Sequence, residues 1–109
     1  MKKKFDVSFL EEARQFLREQ DTKTTKKILQ NIEKAQILND PKLFKKLQGE
    51  IWEFRTQYNG KQHRLLAFWD KTNKKNTLVI ATHGFVKKQD AVPKKEIEKA
   101  EKLRTQYFE

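Results

Sequence analysis

The dipeptide Asn59-Gly60 separates two runs dense in apolar and aromatic residues, Ile51–Tyr58 and Gln62–Trp69. Asn-Gly suits a two-residue turn because both central positions need positive φ, which glycine and asparagine adopt at least cost. The flanking runs are therefore expected to pair as an antiparallel hairpin with Tyr58 opposite Lys61. That register puts Arg55 directly across from Arg64 on one face, with Glu53 diagonal to Arg64 on the same side. Ile51, Leu66 and Phe68 lie at the far end of that face. The other face collects Trp52, Phe54, Leu65, Ala67 and Trp69, and needs burial under helices. Two arginines opposite one another destabilise a ladder, and Glu53 offsets part of the repulsion. An exposed cluster of this kind is an ordinary ion-pair network of small energetic value. Its functional alternative is an anion site, since two guanidinium forks aimed at one point suit a phosphate.

The remaining segments surround this hairpin. Residues 3–7 read as a short strand. Ser8 with Glu11 reads as a capping box for a helix over about 9–19, with Leu10, Ala13, Phe16 and Leu17 on one face. Asp21 suits the N-cap of a second helix over about 22–38, whose stripe is Ile28, Leu29, Ile32 and Ala35. Asn39-Asp40-Pro41 ends it, because the residue before proline avoids helical angles. Lys42 to Gly49 has no clear assignment. Thr77 to His83 reads as the third and central strand of a meander, and Gly84 to Val92 as a loop carrying Lys87 and Lys88. Pro93 suits the first turn of a last helix reaching about Tyr107, with Ile97, Ala100 and Leu103 inward. The fold class is α+β, in one domain over residues 1–109: a short strand, two helices, a three-stranded antiparallel meander and a C-terminal helix.

Charge narrows the function. The 109 residues carry a formal net charge of +10, and residues 41–76 alone hold nine basic and three acidic side chains. The excess thus sits on folded elements rather than in a tail, which fits either a lysine-rich soluble surface or a polyanion-binding face. Lys45, Lys46, Lys61, Lys74 and Lys75 are the candidate contacts of such a face. The chain has no cysteine, which excludes thiol nucleophiles and thiolate metal sites. Phosphate-loop, dinucleotide and HExxH motifs are absent, so no metal and no cofactor is expected. The longest apolar run, Leu65 to Trp69, is far too short to span a membrane. The basic start is not followed by an apolar stretch, so no signal peptide is read and a cytoplasmic location is expected. His83, near the Arg pair, has an unperturbed pKa suited to proton transfer near neutrality, although such a histidine is also an ordinary structural residue. His63 falls on the opposite face from Arg64.

Four segments together carry a resemblance. Ile51-Trp52-Glu53-Phe54-Arg55, His63-Arg64-Leu65-Leu66, His83-Gly84-Phe85-Val86-Lys87-Lys88 and Pro93-Lys94-Lys95-Glu96-Ile97 with Ala100 follow one another at spacings that resemble the RelE/HigB toxins, nearest to the phage-related HigB-like branch. The resemblance implies a compact α+β fold of the microbial ribonuclease type. It implies a toxin of a type II toxin–antitoxin system that cleaves mRNA on the ribosome, neutralised by a cognate antitoxin, usually of the helix-turn-helix type. It places Arg55, Arg64, Lys87 and Lys88 at active-site positions. His63 departs from the family pattern, which has an aromatic residue there.

Metal-free RNA cleavage needs a base for the 2′-OH, an acid for the leaving 5′-oxygen and cations on the phosphorane. By residue type, Arg55 and Arg64 suit the phosphate, and His83 or Lys87 suits proton transfer. Arginine stays protonated and does not suit the base. Two other readings fit the same residues: a non-catalytic basic module that binds RNA or the ribosome, and an inactive toxin-fold subunit that binds a partner.

Overall fold

A computed structural model describes residues 2–72 and 77–109. Its centre is the hairpin of β3 (Ile51–Tyr58) and β4 (Lys61–Asp70). Asn59 and Gly60 both have positive φ, 54° and 75°, as the turn demands. Tyr58 pairs with Lys61 and Arg55 with Arg64, the register expected from the turn.

The described residues form five strands in one sheet of order β1-β5-β4-β3-β2, with three helices. β1 (Asp6–Phe9) runs parallel to β5 (Leu78–Lys87), and every other pair is antiparallel. The expected α+β class holds, with one strand more than expected. That strand, β2 (Phe44–Gln48), occupies the segment without a clear assignment. Its register shifts between Lys46 and Gln48, and the shift breaks the strict alternation by which strands are read from sequence.

Two more expectations are corrected. Ser8 does not cap the first helix: it is a β1 residue paired with Ile80, and α1 (Glu11–Glu19) starts after Leu10 without a side-chain cap. Strand pairing has taken the residue that a helix would otherwise use. The segment from Gly84 to Lys87 is strand rather than loop, so His83 sits inside β5 and not at its end. By contrast, Asp21 does cap α2 (Thr22–Ile37), accepting from the Thr24 backbone N–H at 2.7 Å.

α1 and α2 cover one face of the sheet. There Ala13, Phe16, Ile28, Ile32 and Ala35 bury Phe54, Leu65, Ala67, Val79 and Ala81. α3 (Lys94–Phe108) crosses the other face, where Ile97 and Ala100 close over Ile51, Leu66, Phe68 and Ile80. β5 serves both layers through a bulge: Leu66 pairs with His83 but Ala67 with Ala81, leaving Thr82 as the extra residue. The bulge reverses the alternation along β5. Ile80 faces α3 before it, and His83, Phe85 and Lys87 return to that same face after it. The Thr82 hydroxyl lies 3.1 Å from the Leu66 carbonyl and satisfies the interrupted ladder. Gly84 sits on the α1 side, where a Cβ would come within 2.2 Å of the Phe16 ring.

Candidate active site

α3 covers half of its face of the sheet. The half nearer the hairpin turn carries Glu53, Arg55, Gln62, Arg64 and Lys87, brought together by the β3–β4 register and the β5 bulge. Glu53 is buried and lies between the two arginines. Its carboxylate is 3.3 Å from Arg55 Nε and 3.7 Å from Arg64 Nε. Both contacts are ion pairs without a hydrogen bond: Glu53 Oε2, Arg55 Nε and Arg64 Nε are all buried without a hydrogen-bond partner among the described residues.

The two arginines differ sharply in access. Arg64 is 3% exposed, donating through Nη2 to Gln62 Oε1 at 2.8 Å and through Nη1 to the His63 carbonyl at 3.3 Å. Burial lowers its pKa from the ordinary arginine value, and Glu53 opposes that shift. Arg55 is half-buried, and its guanidinium reaches the Pro41 carbonyl at 3.4 Å. Lys87, opposite Gln62 on β5, is half-buried and donates to the Asp90 carbonyl at 2.9 Å. Burial lowers the Lys87 pKa first, and the neighbouring Arg64 lowers it further.

Two clefts open here. One, of about 410 Å³, lies along the β3 edge and is lined by Lys27, Asn31, Lys42, Arg55, Gln62 and Arg64 among others. The wider one, of about 840 Å³, lies at the hairpin tip and is lined by Lys61, Gln62, Lys87 and Lys88 among others. Both touch Gln62. An anion seated between them would meet cations from three strands and from α2.

The other sequence candidates are distributed as follows. His83 shares the Arg64 face but lies under α3, 3% exposed. Its Nε2 is 3.1 Å from Glu96 of α3, and its Nδ1 is 3.0 Å from the Thr82 hydroxyl. Burial lowers its pKa, against the opposing effect of the hydrogen bond its ring donates to the Glu96 carboxylate. Both ring nitrogens are thus engaged within the protein, and His83 joins sheet to helix. His63 faces the opposite layer beside Phe16, as the register requires, and burial lowers its pKa as well. Lys88 is exposed just beyond β5. Lys45 pairs with Glu53 and so lies on the arginine face, whereas Lys46 pairs with Trp52 on the other face. Lys61 is exposed at the hairpin tip. Lys74 and Lys75 lie outside the described residues.

Sequence reasoning missed Gln62, Lys27 and Lys42. Gln62 was legible in principle, because it shares a face with Arg64 two residues away. Lys27 and Lys42 come from α2 and the turn before β2, and no local pattern links either to the hairpin.

No curated protein matches the chain. A family model described as Phage derived protein Gp49-like (DUF891) matches residues 15–105, a span from α1 to the last turns of α3 that contains the whole arginine face. The chain therefore belongs to the Gp49-like phage-derived family, a family of RelE-like toxins, and is a toxin-type protein for which an antitoxin partner is implied.

Proposed function

We propose that this protein is the toxin of a type II toxin–antitoxin pair of the HigB-like branch, and that it cuts mRNA on the ribosome by transesterification through the 2′-OH. The observation that carries the reading is the convergence of buried Arg64, half-buried Arg55 and half-buried Lys87 on the open half of one sheet face, around the shared carboxylate of Glu53. These are the charges a phosphodiester and its phosphorane need, fixed before substrate arrives.

In this reading Arg64 and Arg55 hold the non-bridging phosphate oxygens. Lys87, whose pKa lies below the usual lysine range, acts from its neutral form as the base that takes the 2′-OH proton. The 2′-oxygen then forms a bond to phosphorus while the bond to the 5′-oxygen breaks, and the leaving oxygen takes its proton from water. The products are a 2′,3′-cyclic phosphate and a 5′-hydroxyl end. His83 does not reach the substrate in this scheme: it holds α3 on the sheet. Lys88, Lys61 and Lys45 bind RNA backbone, and such contacts lose affinity steeply as salt rises.

A site with one weak base and no dedicated acid is slow on free RNA. The ribosome supplies the missing factor by holding the mRNA in a bent, attack-ready geometry. The test is cleavage of one mRNA with and without programmed ribosomes. Cuts within translated codons, ending in 2′,3′-cyclic phosphate and found with ribosomes alone, support the proposal. RNA binding without cuts would support the non-catalytic module instead.

A further inference from the structure

Arg64 is a phosphate ligand that the folded protein keeps covered. Arg64 is 3% exposed, and one of its hydrogen-bond partners, Gln62, is only half-buried. Nη1 is held by the His63 backbone carbonyl, and Nε faces the buried carboxylate of Glu53. Nη2 donates to Gln62 Oε1 at 2.8 Å. The first two partners are fixed by the β4 backbone and the core. Gln62 is half-buried, lies next to solvent and lines both basic clefts. Its carboxamide oxygen takes an Nη2 proton that a phosphate oxygen could accept in its place, and it is a weaker, uncharged acceptor. Lys87 faces Gln62 across the β4–β5 ladder and Gln57 faces it across β3–β4, so Gln62 lies between a cation and a neutral hydrogen-bonding side chain.

We propose that Gln62 is a displaceable cap on Arg64, whose carboxamide oxygen stands in for a phosphodiester oxygen and is exchanged for it when single-stranded RNA lies across the two clefts. The proposal deepens the nuclease reading and rests on it for the identity of the substrate. Gln62 is a positioning residue here. It takes one Nη2 proton of the buried guanidinium in the free protein, and the exchange replaces an uncharged acceptor with an anionic one. Anions too weak to displace it are excluded, which a bare arginine would not achieve.

The test uses the full chain as wild type, Gln62→Ala, Gln62→Asn and Gln62→Glu. Binding is measured by calorimetry with a 2′-deoxy trinucleotide, which cannot be cleaved, and with inorganic phosphate. The Arg64 Nε–H resonance, identified with Arg64→Lys, is followed by NMR. Removing the cap should tighten trinucleotide binding about fivefold to tenfold in Gln62→Ala, and in Gln62→Asn, which is one methylene too short to reach. Gln62→Glu should form a fixed ion pair and weaken binding at least about tenfold. The trinucleotide should move the Arg64 resonance in wild type, and inorganic phosphate should do so at higher concentration. The opposite signs for Ala and Glu distinguish a cap from a merely structural residue, which would weaken binding in every variant. Equal affinities in all four proteins, weaker binding in Gln62→Ala and Gln62→Asn alike, or an Arg64 resonance unmoved at saturation would overturn the proposal. Ordered affinities in a protein that cuts no mRNA would keep the cap and remove the nuclease reading. Cutting without that ordering would do the reverse.

Discussion

Glu53 is the residue on which the arginine face depends. Two guanidinium groups on paired positions repel, and the repulsion is tolerable because one buried carboxylate lies within 4 Å of both. Glu53→Gln preserves the shape and removes the charge, so it should cost about 3 kcal/mol of stability, within the range for breaking a buried pair. Urea unfolding measures this, and a change under about 0.5 kcal/mol would mean that the pair is solvated in the folded protein. The same coupling makes Arg64→Ala a poor probe of activity, because it removes one of the two cations that offset the buried Glu53 carboxylate. Lys87 is the better probe: it is half-buried, and its loss leaves no carboxylate unpaired. Lys87→Met should change stability by at most about 0.5 kcal/mol. Because burial and Arg64 lower its pKa, the cleavage rate in the proposed mechanism should rise with pH and level off below the ordinary lysine value of 10.5. That inflection should vanish in Lys87→Met. A wild-type rate with no inflection below 10.5 would place the base elsewhere.

Among the elements, β5 shows most clearly what was legible and what was not. The hairpin could be read because its turn chemistry is local: Asn59-Gly60 fixes the register, and the register brings Arg55, Arg64 and Glu53 to one face. β5 depends on non-local packing. Gly84 reads as a strand breaker by propensity, yet it is inside the strand because Phe16 of α1 fills the space where a Cβ would lie. The Thr82 bulge is likewise invisible in sequence, although it decides that His83 and Lys87 share the face of Arg64. Ser8 failed as a cap for a related reason, since its partner Ile80 is distant in sequence. The burial of Arg64 is also a packing fact: the two arginines are equivalent by charge, but the fold buries one and leaves the other half-buried. Gly84→Ala should therefore destabilise by about 1–3 kcal/mol through overpacking. Pairing it with Phe16→Leu should recover part of that loss, a coupling visible in a double-mutant cycle. Strictly additive losses would show that Phe16 is not the neighbour that excludes a side chain.

Across the whole molecule, one sheet separates two tasks. α1 and α2 bury the aromatic face and provide most of the core, while α3 covers half of the second face and leaves the charged half open. The two histidines lie in these two layers, and burial lowers the pKa of each. Folding therefore favours their neutral forms. The unfolded chain takes up protons first as pH falls through about 6.5, so the stability present above that pH is progressively lost below it. The melting temperature should fall between about pH 7 and pH 5, with both imidazoles titrating below about 6.5 by NMR. A melting temperature flat over that interval would contradict the burial of both rings. Among the described residues no helix is long and apolar enough to cross a membrane, and residues 41–76, which contain the hairpin, hold nine basic side chains against three acidic ones. That placement suits a surface that binds nucleic acid through phosphates.

In the proposed mechanism the open arginine face cuts translated mRNA with Lys87 as its base. The most direct measurement is a map of mRNA 5′ ends in a bacterial host after induction of the wild type or Lys87→Met, without antitoxin and at matched soluble protein. Growth arrest and new 5′-hydroxyl ends inside translated codons are expected for the wild type, and neither for Lys87→Met. Intact mRNA with the wild type, or the same cuts at the same rate with Lys87→Met, would contradict it.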